Sequence, residues 1–265
     1  DRAPRLRVIS RTGIGIDKVV VEEATARGIA VCNAPEGPTL STAEHTVALM
    51  FAVSKQLKWC DLNVRAGGRL DFFGDFDGLD LFGARLGLIG LGRIGAQVAR
   101  IAHGIGMSVI GYDPYISPQR AEELGVELGS ALEEVLRAAD IVSLHLPLLP
   151  ETRDLMNAER LAQMKSDAIL INTARGGLVD EDALLEALEN GHLYGAGLDV
   201  LQVKPIPPDH PLLMRDNVVV SPHIASATRT GKDRLWRTAL TQSLQVLKGQ
   251  EPPHLVNPDV WPQRK

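Results

Sequence analysis

From residue 84 onward, short apolar runs rich in β-branched residues alternate with longer stretches whose apolar positions recur at helical spacing. Such alternation is typical of βαβ units that build a parallel sheet. The predicted strands are 85–89, 108–112, 141–145, 169–172, 195–200 and 218–221. The predicted helices are 93–106, a short one near 117–124, 130–138, and 181–190, which Gly191 closes. The pattern predicts an α/β fold with a doubly wound parallel sheet.

The chain before residue 84 has a different pattern of apolar and polar positions. Residues 6–10, 17–27 and 29–32 predict a strand, a helix and a second strand, and an apolar helix is predicted at roughly 42–58. A further helix at about 230–248 leads into a proline-rich tail. These outer segments predict a second, smaller unit. Because the sequence starts without Met, only a few residues before its first strand, we expect part of the N-terminal structure to be missing.

Composition and net charge indicate which class of molecule the protein binds. The 265 residues are 45% hydrophobic and 23% charged, with a net charge of −5, which argues against nucleic acid or an anionic membrane surface and favours a small molecule. The apolar run 46–53 is too short to span a bilayer. Two cysteines without CxxC spacing favour a reducing compartment over a disulfide framework or a zinc site. We therefore expect a cytoplasmic protein without a bound metal.

Ligands of open parallel sheets bind beyond the carboxyl ends of the strands. The residues that stand at these predicted ends combine a phosphate cradle, a carboxylate for a ribose, a cationic anchor and an imidazole. They are Gly90, Gly92, Gly95, Asp113, His145, Thr173, Arg175, Asp199 and His223. This combination is typical of an oxidoreductase that uses a dinucleotide.

The segment "LGLIGLGRIGAQVA" places G-x-G-x-x-G between a strand and a helix, and Asp113 follows 18 residues after the last glycine. The glycines allow a tight turn, close approach of the backbone to a pyrophosphate and close packing of the helix on the sheet. Asp113 can accept both ribose hydroxyls and would repel a 2′-phosphate, which favours NAD over NADP. The alternatives are a turn used only for packing and the related pattern of SAM-dependent methyltransferases.

His223 in "NVVVSPHIASAT" follows a predicted buried strand and Pro222, and an imidazole there can exchange the proton that interconversion of an alcohol and a ketone requires. His145 also ends a strand, but the prolines after it predict a loop around the cofactor, so we favour His223. Arg175 lies in "NTARGGLVD", where it could pair with Asp180 or Glu181. Its glycine neighbours favour instead a planar fork for a substrate carboxylate.

Taken together, these blocks resemble the D-isomer-specific 2-hydroxyacid dehydrogenases, in particular the branch of D-3-phosphoglycerate dehydrogenase and the glyoxylate/hydroxypyruvate reductases. The resemblance runs through "SRTGIGID", "NAPEGPTLSTAEHTVALM", "GLIGLGRIG", "HLPLLPET", "NTARGGLVDEDAL" and "NVVVSPHIASAT". It implies a Rossmann-like NAD-binding domain at 41–227. It also implies a flavodoxin-like substrate domain, truncated at its N-terminus, at 1–40 and 228–265.

The resemblance also implies residue roles. Arg175 matches the arginine that binds the substrate carboxylate, His223 matches the general acid-base, and Ile14 and Gly15 match backbone contacts to the same carboxylate. Matches to cofactor contacts are Arg93, Ile94, Asp113, Leu146, Thr173, Asp199 and Ala225. A homodimer is implied as well. It would form around the helix near 42–58 and an arm at 65–83 that carries Phe72, Phe73, Phe76 and Phe82.

One position departs from the family pattern. The family has a catalytic glutamate five residues after the aspartate of "DVFxxEP", and this chain has Lys204 there, in "DVLQVKP". An ammonium disfavours a positively charged imidazole, so impaired catalysis is expected if Lys204 faces His223. Lys204 could instead turn to solvent, or Gln202 or Asp209 could approach. The sequence thus favours an NAD-dependent dehydrogenase of small 2-hydroxy or 2-keto acids, and the alternative is a catalytically weak NAD(H)-binding sensor or scaffold.

Overall fold

A computed structural model describes residues 3–69, 71, 73, 74 and 76–264. The helices are α1 Val21–Ala26, α2 Thr39–Ser54, α3 Leu57–Arg65, α4 Arg93–Gly104, α5 Pro118–Glu123, α6 Leu132–Ala138, α7 Ala158–Ala162, α8 Glu181–Glu189 and α9 Arg229–Leu247. The strands are β1 Val8–Ser10, β2 Ala30–Cys32, β3 Arg85–Ile89, β4 Ser108–Tyr112, β5 Glu127–Leu128, β6 Ile141–Leu144, β7 Ala168–Asn172, β8 Leu193–Leu198 and β9 Val218–Val220. None of these helices is both long and apolar enough to traverse a bilayer.

The chain divides into two compact units. One comprises residues 1–41 and 226–265, and the other comprises residues 42–225. The larger unit is built on a seven-stranded sheet in the order β5-β4-β3-β6-β7-β8-β9, and every neighbouring pair of strands is parallel. From β3 the chain adds β4 and β5 toward one side of the sheet, and it then returns to add β6 to β9 on the other side of β3. The strand order therefore switches between the neighbouring strands β3 and β6. The doubly wound α/β fold predicted from the apolar pattern is confirmed.

Helices cover both faces of this sheet because its central strands are apolar on both sides. Ile169 and Ile171 of β7 pack in one core cluster with residues of α2 and α4. Leu170, which points the other way, packs in a second cluster with residues of α6 and α8. All five residues of β7 are buried, as expected for the centre of a parallel sheet. The rigid sheet therefore presents the carboxyl ends of its strands along one edge.

The smaller unit is a βαβ arrangement in which β1 and β2 pair in parallel. Ala30 and Cys32 pack with Val246 of α9, whereas Val31 packs with Ala24 of α1. The C-terminal tail pairs with β2, since Cys32 and Leu255 form an antiparallel bridge. Burial raises the pKa of the Cys32 thiol to about 11, so this thiol stays protonated.

The predicted helix at 42–58 is wrong in its extent. Helix α2 ends at Ser54, Gln56 takes a left-handed φ of 48°, and α3 begins at Leu57. The Ser54 carbonyl accepts the backbone N–H of Leu79, and the Gln56 amide donates to the Tyr194 hydroxyl at 2.6 Å. These tertiary contacts interrupt the helix. Two short elements, α7 and β5, were not predicted, because pieces of two to five residues carry too little periodicity.

The predicted aromatic arm is described only in part. Phe73 and Phe82 are strongly exposed, at 93% and 82%, and Phe76 is half-buried. Phe72 lies outside the described residues. Further exposed apolar side chains stand on α3, which precedes the arm: Leu57, Leu62 and Val64. This part of the larger unit thus presents an unusually apolar surface.

Candidate active site

The glycine-rich turn follows β3 and leads directly into α4. Gly90 has a φ of +96°, and a Cβ there would lie 2.6 Å from the His145 carbonyl oxygen. A Cβ on Gly95 would lie 2.2 Å from the Gly90 carbonyl oxygen. Gly92 caps α4, and the space around a Cβ built on it is open to 4 Å. The turn is therefore a cradle in which backbone N–H groups and the helix N-terminus can meet a pyrophosphate.

Asp113 follows β4 and is fixed beside this turn. Its Oδ2 accepts the backbone N–H of Leu91 at 2.8 Å, and its Oδ1 accepts that of Tyr115 at 2.9 Å. Each carboxylate oxygen can accept a second hydrogen bond. The half-buried carboxylate can therefore receive ribose hydroxyls next to the pyrophosphate cradle. Arg93 and Ile94 occupy the first turn of α4 at the same edge of the sheet.

His145 packs under the glycine turn. Its Nε2 lies 2.9 Å from the Ser143 hydroxyl, and burial lowers the pKa of His145 to about 4. An imidazole that stays neutral throughout the physiological range is a poor proton donor. This position favours a packing role for His145. Leu146, directly after it, is half-buried at the start of the loop that follows β6.

The loop that carries His223 is held by Asp199. The Asp199 side chain is fully buried and accepts hydrogen bonds from the Ser221 hydroxyl at 2.6 Å, the Ile224 N–H at 2.8 Å and the Ala225 N–H at 2.9 Å. The backbone N–H of His223 donates to the Asp199 carbonyl at 2.7 Å. These bonds explain how the loop keeps His223 in a left-handed conformation, with a φ of 60°.

His45 is a site residue that sequence reasoning missed. Its Nε2 lies 2.8 Å from the Ser221 hydroxyl and 3.6 Å from Oδ1 of Asp199, so it adds a further polar contact to the His223 loop. Next to it on α2, the Thr46 hydroxyl lies 2.8 Å from the hydroxyl of buried Thr173. His45 lies in the block "STAEHTVALM", which is part of the family resemblance. Only the packing of α2 on the sheet, however, brings His45 to this loop.

Arg175 follows β7 and so lies, like the glycine turn and Asp113, at the carboxyl ends of the strands. The Asn172 side chain donates to the Arg175 carbonyl at 2.8 Å, and the Arg175 guanidinium donates to the Ala174 carbonyl at 2.8 Å. The two acids that the sequence offers as partners of Arg175 have other bonds. Asp180 caps α8, and Glu181 accepts the Gln202 N–H and contacts His210. The turn thus holds Arg175 at the end of a buried strand.

Lys204 lies in the loop between β8 and β9, and its Nζ contacts Nδ1 of His223. Of the alternatives left open by the sequence, the structure has Lys204 facing the histidine. The Gln202 side chain turns elsewhere and donates to the Val179 carbonyl at 2.8 Å. Both Lys204 and His223 are exposed side chains. Ile14 and Gly15 belong to the smaller unit, between β1 and α1.

Residues 47–225 match a family model described as the NAD binding domain of D-isomer specific 2-hydroxyacid dehydrogenases. The chain belongs to this family. The residues present fit the cofactor, since the cradle formed by Gly90, Gly92 and Gly95 and the carboxylate of Asp113 lie at neighbouring strand ends.

Three relatives illustrate the similarity. A D-3-phosphoglycerate dehydrogenase of Methanocaldococcus jannaschii is 43% identical over 267 residues, which cover 100% of this chain and 50% of that protein. A glyoxylate reductase of Korarchaeum cryptofilum is 42% identical over 98% of this chain and 79% of its own length. The crystal structure of protein TT0316 from Thermus thermophilus is 46% identical, with a TM-score of 0.90 over 97% of this chain and 80% of that one. The chain thus spans about half the length of the first of these relatives.

Proposed function

We propose that the protein is an NAD-dependent dehydrogenase that interconverts a small D-2-hydroxy acid and its 2-keto acid. The observation that carries this proposal is the shared position of three groups. The glycine cradle, Arg175 and His223 each follow a strand of one parallel sheet, so all three lie at its carboxyl edge. Membership of a family of 2-hydroxyacid dehydrogenases supports the same activity.

Each group has a definite task in this proposal. The cradle and Asp113 bind the dinucleotide, with Arg93, Ile94, Leu146, Thr173, Asp199 and Ala225 as the further residues assigned to its binding. Bound nicotinamide supplies the hydride for reduction, or accepts it in oxidation. Arg175 grips the substrate carboxylate with a bidentate fork and so orients C2. His223 exchanges the proton of the hydroxyl group.

The smaller unit has the role of a substrate domain in this proposal. The resemblance assigns residues 1–40 and 228–265 to that domain and residues 41–227 to the NAD-binding domain. The resemblance assigns the backbone N–H groups of Ile14 and Gly15 in the substrate domain to contacts with the substrate carboxylate. The names of two relatives, a D-3-phosphoglycerate dehydrogenase and a glyoxylate reductase, make 3-phosphohydroxypyruvate and glyoxylate the first keto acids to try.

We further propose a homodimer that works in the cytoplasm. The exposed apolar side chains of α3 and the exposed rings of Phe73 and Phe82 support a protein interface in the larger unit. Cys32 and Cys60 both carry free thiols, which suits a reducing compartment.

The decisive experiment is a steady-state assay of NADH oxidation with a panel of 2-keto acids. The panel includes glyoxylate, pyruvate, hydroxypyruvate and 3-phosphohydroxypyruvate, and NADH affinity is measured in parallel. We expect turnover with at least one of them and the highest kcat/KM to identify the substrate. Tight NADH binding without turnover of any acid would favour the sensor instead. The comparisons with known proteins offer the sensor no support.

A further inference from the structure

The contact between Lys204 and His223 dictates which nitrogen of the imidazole carries its proton. A lysine ammonium has three donors and no acceptor, so Nδ1 must accept from it, and the proton of a neutral imidazole then sits on Nε2. We propose that Lys204 holds His223 in this tautomer and supplies, through Nδ1, the proton that keto-acid reduction consumes. This proposal rests on the dehydrogenase activity proposed above. Lys204 acts through His223 and is therefore a positioning residue.

The loop around Lys204 is tied down before and after it. The Gln202 backbone N–H donates to Oε1 of Glu181 at 2.6 Å, and the Gln202 side chain donates to the Val179 carbonyl at 2.8 Å. On the other side, Nε2 of His210 lies 3.2 Å from Oε2 of Glu181, and both of these side chains are nearly buried. Glu181 thus anchors both ends of the loop to the start of α8. The loop that carries Lys204 is thereby fixed on both sides of this residue.

Several titratable and charged groups belong to the two loops that carry the pair or contact these loops. Asp209 and His210 lie in the 201–210 loop, and His45, Glu181 and Asp199 are bonded to one loop or the other. Arg175 precedes Gly176, whose Cα faces the Leu201 backbone. The carboxylate of Asp199 receives the donors of the 221–225 loop, and that of Glu181 receives those of the 201–210 loop. Nζ of Lys204 contacts Nδ1 of His223.

The proton balance of this arrangement is simple. In reduction, C2 of the keto acid gains a hydride and its carbonyl oxygen becomes an alkoxide. The Nε2–H bond of His223 breaks and its proton forms the O–H bond of the hydroxy acid. Nδ1 takes a proton from the Lys204 ammonium, which becomes an amine. After the product leaves, Nε2 takes a proton from water and Nδ1 returns its proton to the Lys204 amine, which restores the ammonium and the starting tautomer. The imidazole is neutral before and after, and oxidation uses the same steps in reverse.

The pH dependence of reduction separates this arrangement from an ordinary imidazolium acid. An unperturbed lysine titrates at about 10.4 and an unperturbed histidine at about 6.5. With Lys204 as the proton source, reductive kcat should stay level from about pH 6.5 to 8.5 and fall only as the ammonium titrates. Oxidation should rise over the range in which reduction falls, because the amine form must then accept the proton.

The first test is nuclear magnetic resonance of the ¹⁵N-labelled chain without cofactor or substrate. Spectra that correlate ring nitrogens with carbon-bound protons report which nitrogen of His223 is protonated. We expect the Nε2–H tautomer in the wild type and in Lys204→Arg, and a mixture of tautomers in Lys204→Met. A dominant Nδ1–H tautomer in the wild type, or a Lys204→Met spectrum identical to it, would overturn the proposal.

The second test compares pH profiles of reduction. Lys204→Met should lose reductive kcat from about pH 6.5 upward, roughly tenfold for each pH unit, because imidazolium must then serve as the acid. Arginine cannot release its proton, so Lys204→Arg should keep the tautomer yet lower reductive kcat by about 10- to 100-fold. Lys248→Met, at the exposed end of α9, is the matched control and should leave the profile unchanged.

A wild-type profile for Lys204→Arg or Lys204→Met would overturn the transfer of a proton from Lys204. Titrations with NADH verify that each variant retains its fold. If the wild type reduces no keto acid, the proposed activity is wrong and the proton transfer is overturned with it. The spectra then still decide whether Lys204 sets the tautomer of His223, so the two failures remain distinguishable.

Discussion

At the scale of single residues, Arg175 is the side chain that we expect to orient the substrate. We expect Arg175→Ala to lower kcat/KM by at least about 100-fold, because a bidentate charged contact is lost. Arg175→Lys should be nearly as poor, since a point charge cannot reproduce the planar fork. Steady-state kinetics measure both effects, and NADH affinity should change little. Arg100→Ala, exposed on α4, is the control. Near-normal kcat/KM in the lysine variant would show that Arg175 is structural.

We expect Asp113 to decide the choice between the two nicotinamide dinucleotides. The wild type should bind NADH at least about tenfold more tightly than NADPH, or about 1.4 kcal/mol, because the carboxylate repels a 2′-phosphate. Asp113→Ser and Asp113→Arg should reduce this difference in affinity between NADH and NADPH. Fluorescence titrations with both dinucleotides measure it, with Glu122→Ser on the exposed side of α5 as a control. Equal affinities in the wild type would contradict the assignment.

We expect His145 to make the stability of the protein depend on pH. Its folded pKa of about 4 lies below the ordinary 6.5, so the unfolded chain binds more protons between these values. The stabilisation is present above about pH 6.5 and is lost as the pH falls toward 4, by up to about 3 kcal/mol. Denaturant unfolding at pH 7 and pH 4 measures the loss. His145→Asn should reduce this loss of stability between pH 7 and pH 4, whereas His103→Asn, at an exposed position, should not. Equal losses in all three proteins would refute the prediction.

At the scale of elements, α3 is tied to the last part of the sheet by one lysine. Nζ of Lys58 donates to the carbonyls of Leu213, Arg215 and Val218, at 3.0, 2.6 and 3.1 Å. Burial lowers the pKa of Lys58, and Asp216 opposes this shift. These bonds satisfy the carbonyls of a segment that leads into β9. Helix α3 therefore stabilises the strand that precedes His223.

We expect Lys58→Met to lower the free energy of unfolding by about 3 kcal/mol, because a charged donor is lost and carbonyl groups are left without their partner. Lys55→Met is the matched control. Lys55 pairs with Asp80, which is 87% exposed, so the loss of Lys55 should lower the free energy of unfolding far less than the loss of Lys58. Chemical denaturation measures both values. Equal effects of the two substitutions would mean that Lys58 does not anchor the segment.

At the scale of the whole molecule, the exposed apolar side chains of α3 predict the interface of a homodimer. Light scattering at micromolar concentration should give twice the 28.7 kDa of the chain. Leu62→Glu combined with Val64→Glu should give a monomer, because charges would be buried at the interface. Leu244→Glu, at an exposed leucine of α9, should leave the dimer intact. A monomeric wild type, or a dimer that only the α9 substitution disrupts, would contradict this location.

The sequence determined the class of the fold through local signals. Strands such as Arg85–Ile89 and Ser108–Tyr112 match their predicted bounds, because a fully buried parallel strand is a continuous apolar run bounded by turns. The glycine turn and Asp113 were predictable for a related reason: the spacing of a strand, a turn and a helix fixes where they lie at the sheet edge. Family membership followed from the same ordered blocks and is confirmed.

Tertiary structure alone decided what depends on contacts between distant segments. The break after Ser54 arises from Leu79 and Tyr194, which no local pattern around residue 55 contains. His45 meets Ser221 across 176 residues of sequence, and Lys204 contacts Nδ1 of His223 from a loop that Glu181 bonds at Gln202. Hydrogen bonds of this kind depend on the folded path of the backbone. Local propensity therefore predicted the sheet and its edge, and packing selected the partners that meet there.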